Sequence, residues 1–244
     1  MLILFAKKYG NLFLLLSLFA FLTACTDYLQ KMDEEYEQWQ TADGTSNSST
    51  YSNSSSYANY FTDSRDGQLY KTVKIGNQVW MAENLRYKTQ NSYYYDNKIS
   101  NYNMYGFLYT WSDASIVCPS GWHLPSSDEW KTLVSVVGGG SIAGFNLKSS
   151  SGWNSSNGSD AYGFTALPAG FYYSGDVKSY YYDVDEYDES YGPGFYGIGD
   201  VAWFWTSTYS SLSALALAIS SEGSEAEIGQ TLTSFWLSVR CVQD

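Results

Sequence analysis

The sequence predicts an α+β domain of short strands, about two helices and long loops, and three observations carry that prediction. Tyr70-Lys71-Thr72-Val73-Lys74-Ile75 alternates with period two, turns at Gly76-Asn77 and returns along Gln78-Val79-Trp80-Met81, the pattern of a β-hairpin. Ser126 with Glu129 three residues on fits a capping box. Trp130, Leu133, Val134 and Val137 then recur at helical spacing until Gly138-Gly139-Gly140 stops them. Beyond that point the apolar runs are short and widely separated, so irregular structure takes a large share of the chain.

In chain order, the first segment reads as an address rather than as structure. Lys7 and Lys8 precede a mostly Leu and Phe run over residues 11–22, which has the length of a signal-peptide core and is short for a membrane span. Leu22-Thr23-Ala24-Cys25 follows, and it resembles the lipobox of bacterial lipoproteins. The resemblance implies cleavage before Cys25 and acylation of that residue. Several acyl chains supply the two or more hydrophobic signals that stable membrane anchoring needs. An ordinary signal peptide with an incidental cysteine is the alternative. Thr26 stands where an aspartate would resemble the inner-membrane retention signal of enteric bacteria, so the outer membrane is the expected location.

Residues 1–24 are thus read as a lipoprotein signal peptide and residues 25–62 as a low-complexity tether. Asp27 to Gln40 could form a short helix, whereas residues 41–59 are Ser, Asn, Thr and Gly with scattered Tyr. That composition buries too little apolar surface to offset the entropy of ordering. Residues 63–244 are expected to form the folded domain. The chain carries 25 acidic against 13 basic side chains, and loss of Lys7 and Lys8 would leave it more acidic still. Such a surface argues against nucleic-acid binding and against docking on anionic headgroups. Acidity of this kind usually serves solubility.

After the hairpin, Tyr105 to Trp111 leads into Ser112 to Ile116, read as a helix that ends near Cys118. Trp122 and Leu124 are expected to be buried, and Pro125 breaks the chain before the capped helix. Phe164 to Tyr173 reads as a strand with Pro168 at an edge or bulge. Residues 174–200 read as a long acidic loop, Trp203 to Thr208 and Leu215 to Ile219 as short strands, and Phe235 to Val242 as the last strand. With Cys25 used for lipid, Cys118 and Cys241 remain as an even pair in an oxidising compartment, either bridged or as two free buried thiols.

Several stretches together resemble a known family. Asp66 to Tyr70 with Ile75-Gly76-Asn77-Gln78-Val79-Trp80-Met81-Ala82-Glu83-Asn84-Leu85 resembles the opening of the Fibrobacter succinogenes major paralogous domain. Cys118-Pro119-Ser120-Gly121-Trp122-His123-Leu124-Pro125 through Trp130 resembles its central motif. Leu167 to Gly170, Phe204 to Thr208 and Ser238-Val239-Arg240-Cys241-Val242 resemble its later signatures. The family is common on exported lipoproteins, in keeping with Cys25. The run from Gly121 to Trp130 and the strand Val239-Arg240-Cys241 are also similar to formylglycine-generating, sulfatase-modifying proteins. That likeness implies a C-type-lectin-like fold and favours a Cys118–Cys241 bridge.

No catalytic site is expected. The formylglycine-generating enzymes use a cysteine pair, and no cysteine is left over here once Cys25, Cys118 and Cys241 are assigned. His123, the one histidine, is read as a satisfied core residue, and Arg240 and Glu129 as structural. No nucleophile elbow or phosphate loop occurs, and no cofactor is expected. Asp183, Asp185 and Asp188 could ligate calcium through hard oxygens, but they lack the glycine and spacing of an EF-hand loop, so a solvated acidic loop is the preferred reading.

The functional signal is aromatic. The chain has 24 tyrosines, many clustered in predicted loops, and Tyr94, Tyr95, Tyr173, Tyr181, Tyr182 and Tyr187 are the candidate ligand-binding residues. Their rings would lie against sugar faces while their hydroxyls make hydrogen bonds; loops rich in Tyr, Ser, Gly and Asn also suit protein partners. The expected function is a lipid-anchored, non-catalytic envelope module engaging polysaccharide or a surface protein. An architectural lipoprotein without a small ligand and a divergent enzyme are the alternatives.

Overall fold

The hairpin forms where the alternation places it, and the rest of the architecture grows from its second strand. The computed structural model describes residues 59–175, 192–210 and 213–244. Along the chain come β1 (Asn59–Thr62), β2 (Leu69–Ile75), β3 (Gln78–Met81), a one-turn 3-10 segment at Tyr95–Asn97, α1 (Ile99–Tyr105), β4 (Leu108–Tyr109), α2 (Trp111–Val117) and β5 (Trp122–His123). They are followed by α3 (Ser127–Val136), α4 (Gly140–Leu147), β6 (Ala169–Tyr173), β7 (Gly194–Ile198), β8 (Val201–Ser210), β9 (Ser213–Ser220), β10 (Ala226–Thr231), β11 (Phe235–Ser238) and β12 (Val242–Gln243). The first strand therefore lies in residues that the composition assigns to the tether.

Two sheets result. One runs β1-β2-β3-β12-β5, with all its pairs antiparallel; the other runs β10-β9-β8-β11-β6-β7, with β4 added on β11. The second sheet is mixed, since β11 and β6 each meet β8 in parallel while the other pairs are antiparallel. The mixed α+β class is thus correct, with four helices among the described residues in place of about two. The extra helices hide for a compositional reason: α1 is mostly Ser, Asn and Tyr, and α4 contains Gly140 and Gly144, poor helix formers. Tertiary contact requires Gly144, because a Cβ there would collide with the Glu225 carbonyl.

The capping box forms in full. Ser126 Oγ accepts from the Glu129 amide, and the Glu129 carboxylate accepts from the Ser126 amide at 2.8 Å. Trp130, Leu133 and Val137 turn inward to a core that also holds Trp80, Phe164, Phe204 and Leu217. Trp130 sits 4.5 Å from Trp80 and 5.6 Å from Phe204, ring centre to ring centre. Each such side chain, fully buried, contributes about 1.5–3 kcal/mol. A second core gathers Tyr70, Met81, Leu85, Tyr109, Trp122, Leu124, Trp205, Leu237 and Cys241.

The stretch expected to be one last strand is two, and they belong to different sheets. β11 ends at Ser238, the chain crosses at Val239-Arg240-Cys241, and β12 joins the hairpin sheet. The crossing is still hydrogen-bonded: Leu85 N–H donates to Val239 O at 2.9 Å and Met81 N–H to Cys241 O at 3.0 Å. Cys118 and Cys241 form a disulfide here, which ties the end of α2 to the crossing. Arg240, fully buried, donates to Asn84 Oδ1 at 2.9 Å and to the carbonyls of Phe164 and Thr165, with its guanidinium 4.3 Å over the Phe164 ring. Two further strands, β7 and β10, lie where loop or no regular pattern is expected. Glycine in each, and polar residues in β10, mask their alternation.

Candidate functional site

Strand geometry sorts the aromatic residues of β6, β7 and β11 into two sets. Successive side chains point to opposite faces, so Phe171 and Tyr173 of β6 face one way and Tyr172 the other. On the inner face Phe171 stacks on Trp203 at 4.8 Å, while Phe235 packs against Phe171 and Tyr173; Phe171, Trp203 and Phe235 all pack against the second core. On the outer face Tyr172 stands directly opposite both Phe195 of β7 and Trp236 of β11 in register. Its ring lies 4.8 Å from Phe195 and 5.1 Å from Trp236.

Tyr93 completes the group. It bridges to Leu108 of β4, which itself pairs with β11, and this brings its ring to 5.3 Å from Tyr172 and 6.0 Å from Trp236. These four rings belong to neither core cluster. Tyr93 is 40% exposed, and the other three are half-buried. They are nevertheless held firmly: the Trp236 indole N–H donates to Asn91 O at 2.7 Å, and Phe195 leans on the buried Tyr95 ring at 5.3 Å. The approach of β7 to Tyr95 depends on Gly170, where a side chain would run into the Tyr196 carbonyl and the Tyr95 ring. A contiguous ledge of mutually tilted rings results, their planes 45–88° apart, which offers ring faces, ring edges and phenol hydroxyls side by side.

The sequence candidates are distributed unevenly about this ledge. Tyr95 and Tyr173 are buried, at 8% and 5% exposure, so neither offers a face: the Tyr95 ring backs Phe195, and the Tyr173 ring packs on Phe235 on the inner face. Tyr94 is half-buried and lines a separate groove with Arg86, Tyr87, Lys88, Ile99 and Tyr102. Tyr181, Tyr182 and Tyr187, the calcium candidates Asp183, Asp185 and Asp188, and the lipidation residue Cys25 lie outside the described residues. The segment that carries the first six of these joins β6 to β7, two of the three strands that build the ledge.

Sequence reasoning passed over Tyr172, Phe195 and Trp236. Of the pair Tyr172-Tyr173 the candidate Tyr173 is the buried member and Tyr172 faces outward, because alternation does not reveal which phase faces the core. The available signal was Phe235-Trp236-Leu237-Ser238, whose apolar residues occupy both phases of one strand. A strand with that pattern has two apolar faces, and one of them need not be covered.

His123 is a correction to the core reading. Its side chain is 41% exposed and lies between two carboxylates, with Nε2 2.7 Å from Glu129 Oε1 and Nδ1 2.7 Å from Asp244 Oδ1. Burial works to lower its pKa, but hydrogen bonds to Asp244 and Glu129 outweigh that and raise it. With both nitrogens facing carboxylates, the geometry calls for the doubly protonated ring. Glu129 is pulled down: burial opposes this, and the Ser126 amide and His123 prevail. The pair reinforces the capped start of α3.

The motif segments that the sequence singles out converge on this hub. Ser207 N–H donates to Pro125 O at 2.8 Å, Ser127 N–H to Thr208 Oγ1 at 2.9 Å, and the Trp205 indole to Tyr109 O at 2.7 Å. A model of the Fibrobacter succinogenes major domain matches residues 73–243. The chain belongs to this family. In this Fibrobacter succinogenes major domain the motif residues act as the frame, and the ledge residues Tyr172 and Trp236 sit on β6 and β11, strands continuous with the motif segments Leu167 to Gly170 and Ser238 to Val242. No curated protein and no solved structure matches the chain.

Proposed function

We propose that this domain is a non-catalytic binding module, held to the cell envelope by lipid on Cys25, that engages polysaccharide through the ledge of Tyr93, Tyr172, Phe195 and Trp236. The observation that carries the reading is that these four rings are fixed by neighbours yet belong to neither core. Rings already ordered lose little conformational freedom on binding, which favours affinity. A C-type-lectin-like fold is part of the proposal. It is supported by the bridge from Cys118, ahead of α3, to Cys241 beside the last strand. The lipobox-like Leu22 to Cys25 supports the membrane anchor, and Thr26 supports the outer membrane.

A glycan array with an insoluble-cellulose pull-down tests the reading. The purified protein should be retained on at least one glycan, and Trp236→Ala with Tyr172→Ala should weaken retention about tenfold or more. Unfolding temperatures measured alongside separate lost binding from lost folding. Retention that survives both substitutions would refute the ledge. Crosslinking to an envelope protein with no glycan retained would replace the polysaccharide by an assembly role.

A further inference from the structure

The groove that Tyr94 lines differs from the ledge in chemistry. It encloses about 430 Å³, within the range of small-ligand sites, between Asp66, Arg86, Tyr87, Lys88, Tyr94, Ile99, Tyr102 and Phe107. One wall is a packed ring set: Tyr94 lies 5.9 Å from Tyr102 and 5.8 Å from Phe107, and Tyr102 lies 5.1 Å from Phe107. Ile99, at 65% exposure, stands uncovered at the start of α1.

The groove also carries two cations in a chain of net charge −12. Arg86 is built in, with its guanidinium donating to Glu83 Oε1 at 3.1 Å and Leu69 O at 2.7 Å and lying 4.7 Å over the Tyr70 ring. Lys88 is exposed, and among the described residues no carboxylate pairs with it. Asp66 accepts from the Gln68 amide at 3.0 Å and Glu83 is taken up by Arg86, so Lys88 is the groove cation that no ion pair occupies among the described residues. An apolar ring wall beside an unneutralised ammonium is complementary to a ligand with a flat hydrocarbon face and an anionic group.

We propose that this groove binds a carboxylate-bearing sugar unit of an acidic polysaccharide, with the pyranose on the Tyr94 and Tyr102 side and the carboxylate at Lys88. The choice of a sugar scaffold rests on the polysaccharide reading of the ledge; the choice of an acidic one rests on the groove alone.

Oligogalacturonate and its fully methyl-esterified form are the probes, titrated calorimetrically into the full chain. The free acid should bind more tightly than the ester. Lys88→Gln, at an exposed position, should weaken the acid roughly three- to tenfold and leave the ester unchanged. Ile99→Asp should abolish acid binding by repulsion across the groove. Trp236→Ala should leave the difference between acid and ester intact, while loss of neutral-glycan retention in that variant reports on the ledge. Monomeric galacturonate in place of the oligomer distinguishes a free uronate from a polymer as the ligand. Equal affinity for acid and ester, an unaltered Lys88→Gln protein, or monomer binding as tight as the oligomer would overturn the proposal.

Discussion

Replacing Arg240 by methionine isolates what holds the two sheets together. The guanidinium sits at the crossing from β11 to β12 with no exposed surface, and burial pushes its pKa down to about 9, so it remains charged at neutral pH. Methionine keeps much of the volume and removes the cost of the buried charge. It also strands three acceptors, Asn84 Oδ1 and the carbonyls of Phe164 and Thr165. Each unsatisfied buried acceptor costs about 1–3 kcal/mol, and relief of the buried charge offsets part of that, leaving a net loss of about 3–5 kcal/mol. For a domain of this size that lowers Tm by about 6–20 °C. Arg240→Lys should fall between, since a single ammonium cannot span Asn84 and two successive carbonyls as the planar fork does. Thermal unfolding by circular dichroism at neutral pH reads the series. A methionine variant that melts with the native protein would show that the hydrophobic packing around the crossing suffices, and the reasoning would fail.

Two further outcomes are expected. Cys118→Ser should cost about 4–5 kcal/mol of stability, because the bridge spans a separation of 123 residues and removes that much freedom from the unfolded chain; reductant should lower the Tm of the native protein equally, and a Tm unmoved by both would contradict a structural bridge. His123, whose pKa is raised, contributes stability that is fully present below its ordinary 6.5 and lost as pH rises through the folded value. Between about pH 6 and about pH 9 the native Tm should therefore drop roughly 1–4 °C relative to His123→Gln, the range of half-exposed ion pairs. Parallel profiles for the two proteins would remove His123 from the account.

Much of the frame was legible because its signals are local. The hairpin turn at Gly76-Asn77 and the box of Ser126 and Glu129 each need only a few neighbouring residues to be satisfied, and both formed as read. Helix α4 was hidden because Gly144 serves a contact with Glu225, distant in sequence, and not the helix itself. The last strand was misread as one because Val239 and Cys241 keep extended hydrogen bonding while the chain changes sheets.

The sequence by itself determined the class of the domain, the capped helix, the pair Cys118 and Cys241, and an aromatic content too large for the core alone. Family membership followed from motifs that are, physically, turns, caps and buried anchors. Only the tertiary structure decided which rings face outward. Tyr172 and Tyr173 are identical in local context, and the inner or outer phase of β6 is set by what β8 and β11 place against it. Likewise Glu129 lies only six residues from His123, but the second carboxylate that makes both ring nitrogens donors is Asp244, which β12 brings beside β5. Facing and protonation both depend on partners remote in the chain, so neither can be read from spacing.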